Sequence, residues 1–213
     1  NSYRFVRFLY HLNPDVIIST HFYSSEVIAY QRRIKKYNGR LISVITDFKV
    51  HFFWVVKGID KFVVAFQSTK RELIRKGIEE ERVNVLGIPI DAVFAESQNK
   101  DLLLERLKLQ KNLFTVLIVS GGSGVGPIEK LADELENLPY PVQLIIVCGH
   151  NEFLYNRLSS KKFKVPAKIY GFSRNMHELM NISDIIITKS GGLTSSECLA
   201  SNLPMIIIAP VPG

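Results

Sequence analysis

"DIIITKSGGLTSSECLASNLPMIII", residues 184–208, decides the fold. An isoleucine-rich run over 184–188 stops at two glycines, a helix-compatible stretch covers 194–202, and a second apolar run covers 204–209. That is strand, helix, strand. Both strands are almost continuously apolar rather than alternating, as in a parallel sheet covered on both faces. The turn between them reads two ways. Gly191 and Gly192 offer free N–H groups at a helix start, where an anion binds. Thr194 and Glu197, three apart, also fit a capping box, whose side chains only close the helix end.

The same rhythm extends outward in both directions. Strands are expected at 15–20, 41–46, 61–66, 83–86, 114–119, 142–148 and 166–170, with helices at 2–12, 23–37, 69–77, 101–110, 127–137, 151–159 and 174–181. The rhythm breaks between Gly87 and Asn112, which predicts two domains: 1–95, a linker and helix over 96–112, and 113–213. The fold class is α/β, with two open, doubly wound sheets of the Rossmann type facing a cleft.

Composition narrows the function classes. No apolar run approaches the roughly 18 residues that span a bilayer, and Cys148 and Cys198 sit in apolar contexts, as reduced thiols of a cytoplasmic protein do. The formal charge of +7 favours an anionic partner. Basic residues cluster at Arg32, Arg33, Lys35, Lys36 and Arg40, and at Lys70, Arg71, Arg75 and Lys76; a solvated helix face is the plainer explanation of them.

Four strand ends of the second part carry glycine. Gly121, Gly122, Gly124 and Gly126 precede a helix but lack the Lys-Ser/Thr pair of a P-loop and the G-x-G-x-x-G spacing, because position 127 is Pro. Gly149 follows a strand, with Asn151 at a helix N-cap position and His150 exposed between them. Gly171 and Phe172 follow the next, and Gly191 and Gly192 the fourth. Each alone reads as a turn, but in a parallel sheet all four open on one edge. Together they suit a nucleoside diphosphate: N–H groups for phosphates, a carboxylate for a ribose diol, backbone and Phe172 for a base. In the first part His21 and Asp47 follow apolar strands, with His51 and Trp54 just beyond. They suit proton transfer or polar substrate binding, although His21 also fits a helix cap. Phe48, Phe52, Phe53 and Trp54 put four aromatics in seven residues, either an apolar contact surface or a folded-back core plug.

The motifs "PDVIISTH", "TDFKVHFFW", "GIPID", "SGGSGVG", "VCGHN", "YGF" and "DIIITKSGGLTSSECLA" with "LPMII" occur in an order and spacing that resembles the processive diacylglycerol glycosyltransferases and monogalactosyldiacylglycerol synthases. The resemblance spans nearly all 213 residues. It implies a GT-B fold and an inverting, metal-independent hexosyltransferase that moves glucose or galactose from a UDP-sugar to diacylglycerol, needs no cofactor and binds no nucleic acid. It places Gly122, Ser123, Gly149, Asn151, Gly171, Phe172, Gly191, Gly192, Thr194 and Glu197 around UDP. His21, Asp47, His51 and Trp54 fall on the acceptor and membrane side, with Trp54 a lipid or headgroup contact and Phe22 standing where the family often has Pro. The partner surface is then an anionic membrane, met peripherally from the cytoplasmic face. Both ends read as cut: the family's catalytic glycine-rich loop is expected before Asn1 and its sugar-reading segment after Gly213, so residues 1–213 alone are expected to be inactive. The alternatives are the UDP-N-acetylglucosamine transferase of peptidoglycan precursor synthesis, which shares the fold, and a non-catalytic nucleotide-binding module.

Overall fold

The computed structural model describes residues 2–119, 121, 122, 124 and 126–208. Contacts divide them into two compact units, one ending at Pro89 and the other beginning at Ile90.

The first unit runs α1 (Ser2–Leu12), β1 (Val16–Ser19), α2 (Phe22–Arg33), β2 (Arg40–Val44), β3 (Lys61–Val64), α3 (Gln67–Arg75) and β4 (Val83–Val85), and its four strands form a parallel sheet in the order β1-β2-β3-β4. Leu41, Phe62 and Val64 on the sheet, Ile28 on α2 and Leu73 on α3 bury into one core. Where α2 crosses β1 and β2, the contact is made by small residues. The Ser25 hydroxyl donates to Ser19 Oγ at 2.9 Å and lies 3.2 Å from Ser43 Oγ, so three buried hydroxyls satisfy one another.

The second unit runs α4 (Lys100–Arg106), β5 (Phe114–Val119), α5 (Ile128–Leu135), β6 (Val142–Val147), α6 (Glu152–Ser160), β7 (Ala167–Tyr170), α7 (Met176–Ile182), β8 (Ile185–Lys189), α8 (Gly192–Ala200) and β9 (Met205–Ile208). Its parallel sheet has the order β7-β6-β5-β8-β9. The chain winds one way from β5 to β7 and the other way from β8 to β9, so the direction reverses between β5 and β8. Alternate residues feed two cores: Leu117, Ile145 and Val147 pack with α7 and α8, while Val116, Leu144 and Ile146 pack with α5 and α6. β6 is therefore buried at all six positions and is apolar at five of them. Its one polar residue, Gln143, donates to Gln110 O and Thr115 Oγ1 and accepts from Gln110 N–H, so it costs little.

Each expected strand and helix is present among the described residues, but the division differs from the expected one at 95. The segment after Pro89 lacks periodicity because it is a short 3₁₀ turn, Ala92–Ala95, capped by Asp91, and it belongs to the second unit. Phe94 packs on the second core, its carbonyl accepts from Ser201 Oγ at 3.0 Å, and Asn181 donates to Glu96 O. Leu103 and Leu104 of α4 are buried in that same core, so 96–112 is no free linker.

Candidate functional site

In the second unit, register sets the site. Tyr170 pairs with Val147, Val147 with Val119, and Val119 with Thr188, so four strands end in one row across the sheet. At the usual strand spacing this row is about 14 Å wide. The four glycine-bearing loops leave the sheet side by side, centred on the reversal between β5 and β8, where open α/β sheets bind ligands.

The β5 and β6 loops are fitted to each other backbone to backbone. His150 N–H donates to Gly122 O at 2.8 Å. A Cβ on Gly149, whose φ is +60°, would stand 2.4 Å from Gly122 O, and one on Gly124 would stand 2.0 Å from Cys148 O. Asn151 takes the N-cap position expected of it: its Oδ1 caps α6 at Leu154 N–H, and its Nδ2 donates to Gly124 O at 3.0 Å, so its amide also ties the two loops together. Phe172, after β7, is 57% exposed, and the His150 imidazole stacks on it at 4.5 Å and 14°. His150 had drawn no role from sequence; only adjacent strands bring it onto the ring. Ser123 lies outside the described residues.

At β8 the structure resolves the ambiguity of the turn. α8 begins at Gly192 with Gly191 as N-cap, and no side chain caps it. Thr194 is thus the third helical residue and Glu197 the sixth, so they are not a capping box. The helix starts two residues earlier than expected, and the N–H groups of Gly192, Leu193 and Thr194 have no partner among the described residues, the arrangement an anion stabilises. Glu197, half-buried, has no hydrogen bond or ion pair among the described residues, and burial raises its carboxyl above the ordinary glutamate range. Ser195, in the first turn, is 3% exposed with its hydroxyl unsatisfied there.

The first unit assembles a ring cluster at the ends of β1 and β2. His21 stacks on Phe22 at 4.3 Å, Phe22 on Phe53 at 5.2 Å, and Phe52 and His51 close on Phe53. His21 caps α2 by accepting Tyr23 N–H at Nδ1, 3.1 Å, and His51 does the same for Phe53 N–H at 3.4 Å. An accepting Nδ1 leaves the proton of the neutral ring on Nε2. Both histidines therefore present donors in the neutral form, which suits polar binding better than proton abstraction, and the contact of His21 with Tyr23 is the helix cap its position also fitted. Trp54 also departs from expectation. It is 2% exposed, packs in the core and donates its indole N–H to Asp47 Oδ2 at 2.8 Å. A ring that large with its N–H paired inward is the core plug, and Phe52 and Phe53 supply the exposed aromatic surface.

Comparisons with known proteins agree with this division. Residues 2–90 match the family model of monogalactosyldiacylglycerol (MGDG) synthase, and residues 115–212 that of the glycosyltransferase family 28 C-terminal domain. A processive diacylglycerol beta-glucosyltransferase of Bacillus cereus (strain AH187) is 35% identical over 206 residues, which are 94% of this chain and 52% of that protein. The chain spans about half the length of the curated relatives it matches. Among solved structures, Acinetobacter baumannii MurG aligns with a TM-score of 0.65 at 15% identity, covering 99% of this chain and 56% of that one. Anabaena Alr3699/HepE in complex with UDP-glucose aligns at 0.65 and 17%, covering 98% and 63%. At such identities the likeness is one of fold, and the fold is GT-B.

Proposed function

Because the chain belongs to the family of processive diacylglycerol glycosyltransferases and monogalactosyldiacylglycerol synthases, we propose that it serves the transfer of a hexose from a UDP-sugar to diacylglycerol, the second unit holding the donor and the first the acceptor. The observation that carries this reading is the row of four strand ends closing on the side-chain-free N-terminus of α8. Diphosphate lies against Gly191, Gly192 and Thr194 with Gly122 beside it. The ribose diol donates to Glu197, and uracil rests against Phe172 and His150, near Gly171. In the transfer the bond from the anomeric carbon to the UDP oxygen breaks, leaving its electron pair on UDP, as the acceptor hydroxyl bonds from the opposite face and gives up its proton to a base, which inverts the centre. The α8 N–H groups meet the charge growing on the leaving diphosphate without a metal. His21 and His51, as Nε2 donors, and the Asp47 carboxylate, steadied by Trp54, orient the glycerol hydroxyls. The net charge of +7 and the exposed Phe52 and Phe53 support peripheral attachment to the inner face of an anionic membrane.

Calorimetric titration with UDP, UMP and uridine tests the donor site: affinity should fall in that order as phosphates are removed, and equal affinity for uridine and UDP would refute the α8 phosphate site. Incubating the full-length protein with diacylglycerol and UDP-glucose, UDP-galactose or UDP-N-acetylglucosamine, then weighing the lipid by mass spectrometry, identifies the sugar. Transfer from UDP-N-acetylglucosamine alone, to a polyprenyl acceptor, would favour the peptidoglycan-type reading instead.

A further inference from the structure

His150 and Phe172 leave adjacent strands, but their backbones are held very differently. Pairing continues one step past β6, where Cys148 N–H donates to Tyr170 O at 2.8 Å, so the two loops part side by side. The main chain at His150 is then fixed. Its N–H donates to Gly122 O at 2.8 Å and its carbonyl accepts from Glu152 N–H at 3.1 Å, while the next residue, Asn151, is committed to α6 and to Gly124 O. Phe172 has no such hold. Its N–H and carbonyl have no hydrogen-bond partner among the described residues, a Cβ on the preceding Gly171 would approach only Gly149 O, at 3.8 Å, and the ring lies outside both cores. The His150 imidazole, stacked at 4.5 Å and 14°, is the one ring that Phe172 meets among the described residues. One face of the phenyl ring is covered by it, and with 57% of the residue exposed the other face is open.

We propose that His150 is a positioning residue for nucleotide recognition: a back-plate that holds the Phe172 ring as a stacking platform and leaves the base to lie on the open face. This rests on the donor reading, with the base at Phe172, and adds what fixes that ring. An exposed ring without a partner loses rotamer freedom when a base lands on it. Stacked on an imidazole, an arrangement that aromatic pairs favour, it is already ordered before the ligand arrives. The plate is itself anchored through its main chain to the β5 loop, so the platform is set relative to Gly122, where the diphosphate lies. Because only the main chain of His150 reaches that loop, a change of side chain should disturb the base end of the nucleotide and spare the phosphate end. The competing role is a hydrogen bond from the imidazole to the edge of the base. Stacking argues against it, since a base on the open face lies two ring spacings from the imidazole, beyond hydrogen-bond reach.

Titration calorimetry of the full-length protein with UDP and with inorganic pyrophosphate decides it, circular dichroism checking that each variant folds. Phe172→Ala should weaken UDP about 10-fold or more, as loss of a stacking platform does, and leave pyrophosphate within about twofold. His150→Ala should weaken UDP about 3- to 10-fold, the range for ordering one ring, and also spare pyrophosphate. His150→Phe, which restores a flat ring, should bring UDP affinity back to within about twofold, whereas His150→Gln, polar but no plate, should not. The double variant should bind UDP no more weakly than Phe172→Ala alone, because a plate with nothing to hold has no effect. Loss of affinity in Phe172→Ala with none in His150→Ala would overturn the back-plate and leave the base site standing. Rescue by Gln but not by Phe, or losses that add in the double variant, would also overturn it, by making His150 a direct contact of the base. Unchanged UDP affinity in Phe172→Ala, or no UDP binding by wild type, would overturn the donor reading and this role of His150 with it.

Discussion

Replacing Glu197 by Gln probes a half-buried carboxylate of the second unit that has no partner among the described residues. The carboxylate stands on α8 one turn beyond the open N–H groups, half-buried and unpaired among the described residues. If it accepts the two ribose hydroxyls as an anion, each bond is charge-assisted, a class worth about 1.5–3 kcal/mol. Gln keeps the shape and one acceptor but loses the charge, so UDP affinity should fall about 10- to 30-fold, and Ala, which loses both bonds, by more than about 100-fold. Titration calorimetry reads this directly, and 2′-deoxy-UDP completes the cycle: it should bind wild type weakly and lose little further on Glu197→Gln. The apo protein supplies a second readout. Burial raises this carboxyl in the folded state, so the native form takes up the proton more readily than the unfolded chain. Its contribution to stability is present below the unfolded value and lost as pH rises through the folded one. Glu197→Gln should therefore leave the thermal midpoint at neutral pH equal or higher, whereas loss of a true cap would lower it. UDP binding should weaken on acidification at a higher pH than an exposed glutamate would give. The variant lacks that limb, and phosphate titration cancels in the difference. An affinity within twofold of wild type, or a lowered midpoint with unchanged affinity, would refute the assignment and leave Glu197 structural.

Two further outcomes follow from the same geometry. Gly149→Ala must hold an L residue at φ +60° with its Cβ 2.4 Å from Gly122 O, which costs more than about 2 kcal/mol and should drop the thermal midpoint by roughly 5 °C or more while loosening UDP; a midpoint unchanged in differential scanning calorimetry would contradict the fitted loops. Trp54→Phe removes the indole bond to Asp47 and should destabilise the first unit by about 1–2 kcal/mol in urea titration without reducing vesicle binding; a stable variant with impaired vesicle binding would restore Trp54 to the lipid surface.

Elements carried by long local patterns were legible. Isoleucine and valine runs such as 142–147 announce buried parallel strands, because a strand covered on both faces tolerates few polar residues. Gly124 and Gly149 were legible too, and there the close approach of the two loops excludes a Cβ. Short patterns misled where distant partners decide. Thr194 and Glu197 have capping-box spacing, yet the helix begins at Gly192. The aperiodic stretch after Pro89 looks like a linker but is held by Ser201 and Asn181, about 85 to 107 residues away.

By itself, then, the order of residues determined the α/β class, the strand and helix inventory and the family, each of which depends on local periodicity or on motifs in sequence. The tertiary structure alone decided which side chains meet: the register that aligns four loops in one row, the stacking of His150 on Phe172, the inward turn of Trp54 toward Asp47, and the half-burial of Glu197 with no partner among the described residues. Those depend on strand neighbours and on burial, quantities that exist only once segments far apart in the chain have packed.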